Sequence, residues 1–395
     1  MWDFTKWSSG EVALAKHILS DPEDEISNTT LLKWAGYYRL STESAKSLCQ
    51  QLSLAPITNG WNARKKNGTV LQVIKKYSPR FAILNGREDV AHTHLRLMQE
   101  APKYDIPLDI FNLHDFTVRN DHLEGPVSLQ DLWRYRAIFV SAPEPLASDA
   151  APVDRFIYKI WELVETAGSP VIPSRQADWI ARDKMEGTAY LWKSRIPSPL
   201  TLTTTSIAHA LDFVHECRQR GRSVVLKPLG KGGGWGVTRI PIDWSDNQIL
   251  DLLGKYKWWY GAGLLYMQEF VPNIGHDKRV LILGDITLGV EDRLAGTEGE
   301  SWVYNISKGG KGLAGEITPE EHTLARHAAE ACNQFFVGVD LLPGADHQSY
   351  VLEVNSNPGF SGFEQYVGVN VAASLLRYVA LFGAPRGTMK CNMNE

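Results

Sequence analysis

The segment Tyr350-Val-Leu-Glu-Val-Asn-Ser-Asn-Pro-Gly-Phe360, preceded by Gly338-Val-Asp340, decides how this chain is read. Glu353 and Asn355 stand two apart in a β-branched, apolar run, so in a strand both side chains leave the same face. Asp340 ends a second apolar run, Phe335 to Val339, and the Pro-Gly-Ala-Asp-His-Gln between the runs predicts a hairpin connection. Two such strands aim two carboxylates and an amide oxygen at one point. Hard oxygen donors of this kind suit magnesium carrying nucleotide phosphates. A solvated strand face would also show Glu-x-Asn, so the rest of the chain has to decide between the two.

Upstream, Ser223 to Val237 reads Ser-Val-Val-Leu-Lys-Pro-Leu-Gly-Lys-Gly-Gly-Gly-Trp-Gly-Val. A buried β run delivers Lys227, and a glycine loop follows with Lys231, Gly232, Gly233 and Gly234. Glycines let backbone N–H groups approach phosphate oxygens, and lysine adds a mobile point charge. No Gly-Lys-Ser/Thr opens a helix here, so this is not a Walker loop, and the dinucleotide fingerprint between strand and helix is also lacking. A plain glycine-rich turn is the competing explanation for the loop alone.

Further pieces accompany these two: Arg182-Asp-Lys184 with Ile196-Pro-Ser-Pro-Leu-Thr201, Met267-Gln-Glu-Phe-Val271, Asp277-Lys-Arg279, and Asn305 before Gly309-Gly310. In this order, from about Phe81 to about Leu381, the chain resembles the ATP-grasp superfamily, in the branch of RimK-type glutamate ligases and glutathione synthetases. The resemblance implies an α/β protein whose small parallel α/β domain precedes a two-lobed α+β grasp module. It implies that Lys184 and Lys227 hold the α- and β-phosphates of ATP, that Gln268, Glu269, Phe270 and Val271 form the hinge whose backbone meets adenine, and that Asp277 is the acid of the ribose region. Arg279, Arg293 and Asn305 would hold the γ-phosphate and the acyl group, where a planar guanidinium fork suits phosphate and carboxylate. Asp340, Glu353 and Asn355 would hold two Mg2+ ions, with Mn2+ as an alternative. Two departures stand out. The stretch from Arg293 to Asn305 is longer than in the family, and Val303 stands where glutamate ligases often carry an arginine.

Composition agrees with a cytoplasmic enzyme. A 395-residue chain that is 44% hydrophobic can bury a large core and divide into two or three domains. Lys+Arg 41 against Asp+Glu 45, a formal charge of −4, argues against a general nucleic-acid surface. Cys49, Cys217, Cys332 and Cys391 show neither paired nor metal spacing, as expected of free thiols in a reducing compartment. No signal core and no bilayer-length apolar run is present.

The expected organisation is a helical extension over 1–79, a parallel α/β domain over 80–173, the grasp module over 174–385 with its lid lobe near 188–266, and a tail over 386–395. The extension shows helical patterns at Val12 to Leu19, Thr30 to Tyr38 and Ser41 to Leu54, the last capped by Ser41 or Thr42. Strands are expected at Phe81 to Leu84, Leu108 to Leu113, Ala137 to Ser141, Arg279 to Leu283 and Val303 to Ile306. Thr318-Pro-Glu-Glu321 predicts a capping box and a helix running toward Asn333. His92-x-His94 lies in a helix-like run where neighbours two apart diverge, so a metal site is not expected there. Arg64-Lys65-Lys66 is expected to be a solvated helical face.

Together these features predict an ATP-dependent ligase that joins a carboxylate to an amine through an acyl phosphate, releasing ADP and phosphate. Its substrates would be small molecules or peptides, with no nucleic acid or membrane partner. The sequence leaves oligomeric state open, a homo-oligomer included, and the aromatic-rich extension would pack on the catalytic body, on a second subunit or on a large substrate. The alternatives on the same scaffold are a phosphotransferase and a nucleotide-binding regulatory module without turnover.

Overall fold

The computed structural model describes residues 2–87, 89–120, 122–141, 151–229, 234–259, 263–295, 304 and 310–386. Ser8 and Glu11 form a capping box that starts α1 (Ser9–Ser20), where Leu14, Ile18 and Leu19 are buried. The chain continues through β1 (Glu25–Ser27), α2 (Asn28–Tyr37), α3 (Thr42–Gln51), β2 (Ala55–Ile57), β3 (Gly60–Asn62) and α4 (Arg64–Tyr77). Ser41 caps α3 by accepting the N–H of Ser44. Four helices make the extension mainly helical, as expected, and three short strands add an antiparallel sheet in the order β1-β3-β2. Strands of three residues are too short to show a period in sequence. The basic face is solvated at Arg64 and Lys65, as expected, and the expectation is corrected at Lys66. Lys66 is 0% exposed, and its Nζ donates to the carbonyls of Ile18 at 3.0 Å and Asp21 at 2.8 Å. These carbonyls lie at the end of α1, where helix geometry leaves acceptors without partners. Burial pulls the Lys66 ammonium down to about 7.

Alternating units follow: β4 (Phe81–Asn85), α5 (His92–Glu100), β5 (Leu108–Asn112), β6 (Thr117–Arg119), β7 (His122–Glu124), α6 (Leu129–Leu132), β8 (Ala137–Ser141), α7 (Ala151–Thr166) and β9 (Val171–Ile172). The sheet β5-β4-β8-β9 is parallel throughout, as the alternation predicts. In α5 His94 is buried and His92 exposed, so the pair does diverge.

The next sheet, in the order β10-β13-β11-β12, is antiparallel. It belongs to the run α8 (Arg175–Arg182), α9 (Lys184–Lys193), β10 (Thr201–Thr204), α10 (Ile207–Gln219), β11 (Val224–Lys227), β12 (Thr238–Ile240), α11 (Asp246–Trp259) and β13 (Leu265–Glu269). Its core of Phe213, Val214, Leu226, Leu253 and Met267 is separate from the others.

The last part comprises β14 (His276–Leu283), β15 (Ile286–Leu294), β16 (Lys311–Ala314), α12 (Pro319–Ala331), β17 (Phe336–Pro343), β18 (Ser349–Ser356), α13 (Ser361–Val367) and α14 (Val371–Phe382). Its antiparallel sheet runs β16-β15-β14-β17-β18. Both halves of the Thr318 capping box form, and α12 packs Ala325, Ala328 and Ala329 on Val280, Val290 and Val339. Of the strand expected at Val303 to Ile306 only Tyr304 is described, and it is not in a strand. Leu281, Leu283 and Phe336 join Phe360, α14 and the N-terminal residues Leu14, Ile18 and Trp34 in one large core. The extension therefore packs on the sheet that carries the decisive hairpin.

Candidate active site

Antiparallel register assembles the site row by row. Asp340 faces Glu353 and Gly338 faces Asn355 across β17 and β18. Arg279 faces Asp340 across β14 and β17, while Asp277 faces Arg293, and Arg279 faces Glu291, across β14 and β15. Residues of one parity share a face, so these polar side chains gather on one side of the sheet. A Cβ at Gly338 would lie 3.3 Å from Pro358 Cβ and 3.4 Å from the Arg279 side chain, so this position sits in close contact with the gathered residues.

Two bidentate ion pairs hold the centre. Arg279 donates through Nε and Nη2 to the two oxygens of Asp340, each at 2.8 Å. Arg293 donates to the oxygens of Asp277 at 2.7 and 2.6 Å, and its Nη2 also lies 2.9 Å from Asp340 Oδ2. Burial opposes ionisation of Asp340, but the guanidiniums of Arg279 and Arg293 outweigh it and hold this carboxyl well below its usual range. At Asp277 burial prevails over Arg293, and its pKa is raised. Asp277 is thus a buried strand residue in an ion pair, not a loop carboxylate.

The expected metal donors converge. Asn355 Nδ2 lies 3.3 Å from Asp340 Oδ2 and 3.1 Å from Glu353 Oε1. Asn355 Oδ1 would replace the nitrogen by a half-turn of the amide, which gives three oxygens around one point. Two carboxylates and one amide fit magnesium, which keeps waters and phosphate oxygens in its shell rather than an all-protein cage.

Both lysines join this side. Lys184 opens α9 after the Asp183 cap and lines a void of about 20 Å³ with Thr188, Tyr266 and Glu353. Lys227 ends β11, and burial pulls it down to about 8, with Glu353 opposing and Lys184 reinforcing the shift. In the expected hinge, the N–H groups of Glu269 and Phe270 are already paired and so are not available to adenine. They donate to Leu200 O at 2.9 Å and Ser223 O at 2.8 Å, and the Gln268 side chain is buried, donating to Thr201 Oγ1 and Tyr266 Oη. The sheet uses the amides as β13 ends. Val271, whose carbonyl accepts from Asn273 Nδ2 at 3.1 Å, follows directly. Gly234 has φ +72°, the left-handed region that favours glycine. Lys231, Gly232, Gly233, Trp302, Val303, Asn305 and Gly309 lie outside the described residues.

Glu291, on the same face and opposite Arg279, is a further acidic residue of this site that no motif in the sequence marks. Its signal is Glu-x-Arg at strand spacing, hidden because Gly289 obscured the whole of β15.

A family model described as the RimK-like ATP-grasp domain matches residues 181–379, half of the chain. This chain belongs to the RimK-like ATP-grasp family. It is an ATP-dependent ligase of the kind that forms carbon–nitrogen bonds. Among its curated relatives, the tetrahydromethanopterin:alpha-L-glutamate ligase of Methanocaldococcus jannaschii is 32% identical over 202 residues, 50% of this chain and 66% of that protein. A probable alpha-L-glutamate ligase of Legionella pneumophila is 30% identical over 217 residues, 55% and 68% of the two chains. The RimK-like chain also shares its fold with the ATP-grasp ligase PsnB complexed with a minimal precursor, at TM-score 0.59 and 17% identity over 77% of this chain and 99% of that one. D-cycloserine synthetase DcsG gives TM-score 0.58 at 17% identity, over 76% and 99%.

Proposed function

We propose that this RimK-like ligase activates a substrate carboxylate by phosphoryl transfer from ATP and couples the resulting acyl phosphate to the amine of an amino acid, releasing ADP and phosphate. The observation that carries this reading is the polar cluster in which Asp340, flanked by Glu353 and Asn355, meets both Arg279 and Arg293. A carboxylate is a poor electrophile, and converting its oxygen into phosphate makes it leave readily. Arg279 and Arg293 are held rigidly by Asp340 and Asp277, so they meet developing charge without reorganising. Lys184 and Lys227 would bind the nucleotide phosphates on the Glu353 side. Asp340, Glu353 and Asn355 would hold magnesium, which supplies charge neutralisation to the transferring phosphoryl group. Among the described residues no side-chain nucleophile is required, and catalysis would rest on positioning and electrostatics.

The choice of an amino-acid amine is supported by the relatives named as glutamate ligases. PsnB and a Chryseobacterium gregarium ligase are each complexed with peptides, which supports testing peptide carboxylates as well. Cys49, Cys217 and Cys332 are buried free thiols, and no described helix is long and apolar enough to cross a membrane; both fit our placement in the cytoplasm.

The test is ADP formation over pairs of carboxylates and amino acids, with mass detection of the amide. Full ADP release with a carboxylate or hydroxyl acceptor and no amine would instead favour a phosphotransferase.

A further inference from the structure

Across the site face the strand order places the metal donors on β17 and β18, the arginine pairs around β14, and Glu291 on β15 toward the opposite edge. The carboxylates of the centre can be matched one by one: Asp340 with Arg279, and Asp277 with Arg293. Glu353 makes no ion pair among the described residues but accepts from Asn355 Nδ2, which leaves Glu291 as the carboxylate of this face with an oxygen that nothing described donates to. It is only 2% exposed, and its Oε1 has no hydrogen-bond partner among the described residues. Burial raises its pKa against the pull of Arg279 and Arg293.

The carboxylate is fixed in place by its neighbours. On β16, a Cβ at Gly312 would lie 2.5 Å from Glu291 Oε1 and 2.3 Å from the ring of Tyr366 on α13. Glu291 is thus packed between β16, α13 and the arginine row. A buried acceptor without a donor is unfavourable, and an apolar side chain of similar volume would fill the space without that cost. The molecule keeps here a carboxyl oxygen, Oε1, that receives no hydrogen bond from its described residues, although Arg279 and Arg293 stand close enough to attract the carboxylate.

We propose that Glu291 anchors the primary amine of the nucleophilic substrate, binding it as the ammonium of an amino acid on the edge of the site opposite the metal donors. This rests on the ligase reading given above. An ammonium completes the pairing that Glu291 lacks, and it places nitrogen and leaving phosphate on opposite flanks of an acyl group held by Arg279 and Arg293. The C–N bond forms as the C–O bond to phosphate breaks. Of the ammonium's three protons, one passes to water before attack, one to the departing phosphate, and one stays on the amide nitrogen. Glu291 holds the amine and takes no part in the phosphoryl transfer.

The test uses the full chain with Glu291→Gln and Glu291→Leu. The carboxylates are the N-acetyl forms of the twenty L-amino acids, and the nucleophiles are the free amino acids or hydroxylamine, which traps acyl phosphates without presenting an ammonium. In E291Q the KM for the amine should rise about tenfold or more while the KM for ATP stays, and the hydroxamate yield should fall far less than the amide yield. The nucleotide-free Tm of both variants should stay at or above that of the wild type, since a carboxylate kept for a ligand stabilises nothing in its absence. Equal loss of amide and hydroxamate, a lower Tm for E291Q, or wild-type hydroxamate without amide from any amino acid would each overturn the assignment. Wild-type enzyme that forms neither product sinks the ligase reading beneath it, a distinguishable result.

Discussion

Arg293 serves two carboxylates at once, and this makes it the residue whose loss the fold should feel most. Its guanidinium is almost wholly buried between Asp277 and Asp340. Arg293→Ala would leave two buried carboxylates sharing Arg279, and breaking a buried pair from one side typically costs about 3–5 kcal/mol. Denaturant titration of R293A should show a loss of this order. Glu353→Gln should behave in the opposite way. The shape is kept and no ion pair among the described residues is broken, so Tm should move little while kcat falls about a hundredfold or more, because a charge that would hold the metal against the phosphates is gone. Turnover within a few-fold of wild type would remove Glu353 from the metal site. Asp340, Glu353 and Asn355 were legible from two apolar runs and strand spacing, and Arg279 from the Asp277-Lys-Arg279 that resembles the family's motif. Glu291 was not, because Gly289 masks the strand that carries its Glu-x-Arg spacing, and because what faces it on neighbouring strands is not written locally.

At the scale of elements, the β17–β18 hairpin and the α12 capping box could be read directly, since apolar alternation, turn residues and Thr-Pro-Glu-Glu are local signals. β15 and β16 could not. Each carries a glycine where α13 comes close: at Gly289 a Cβ would meet Phe363 at 3.1 Å, and at Gly312 it would meet Tyr366 at 2.3 Å. A glycine reads as a strand breaker in sequence, although here it admits an aromatic side chain from the next layer. Gly312→Ala should therefore destabilise by about 1–3 kcal/mol through overpacking, and thermal melts of the variant would show it. Because the same Cβ presses on Glu291, G312A should also raise the KM for the amine. A melt and kinetics indistinguishable from wild type would show that α13 shifts freely.

For the molecule as a whole, the N-terminal segment and the grasp sheet form one body joined by buried imidazoles. His17 of α1 stacks on Trp34 at 4.1 Å and lies 3.0 Å from the Tyr38 hydroxyl, which accepts the N–H of Thr287. His322 of α12 stacks on Tyr37 at 5.3 Å and pairs with Thr287 Oγ1 at 2.9 Å. Burial pulls His17 down to about 3, with His322 adding to it, and His322 down to about 4, with Arg326 and Arg39 adding to that shift. Below an unfolded pKa near 6.5 the unfolded chain takes up protons that the folded chain refuses, so stability is full above that pH and falls as pH drops toward 4 and then 3. The slope approaches about 1.4 kcal/mol per pH unit for each histidine. Tryptophan fluorescence during acid titration should report the seam opening, and H17Q/H322Q should flatten the curve between pH 6.5 and 4. The shared core was foreseeable from the aromatic content of the extension, but its partner surface was not, because that surface comes from the far end of the chain. Arg377, 1% exposed in α14, donates to the Leu19 carbonyl across a separation of 358 residues. During synthesis, the first helix must therefore wait for nearly the last one, roughly 20–70 s at ribosomal speed. Through that interval Leu14 and Ile18 lack their final cover, so nascent chains stalled before codon 371 should be bound by chaperones and cut by protease in the first eighty residues, and completed chains should not.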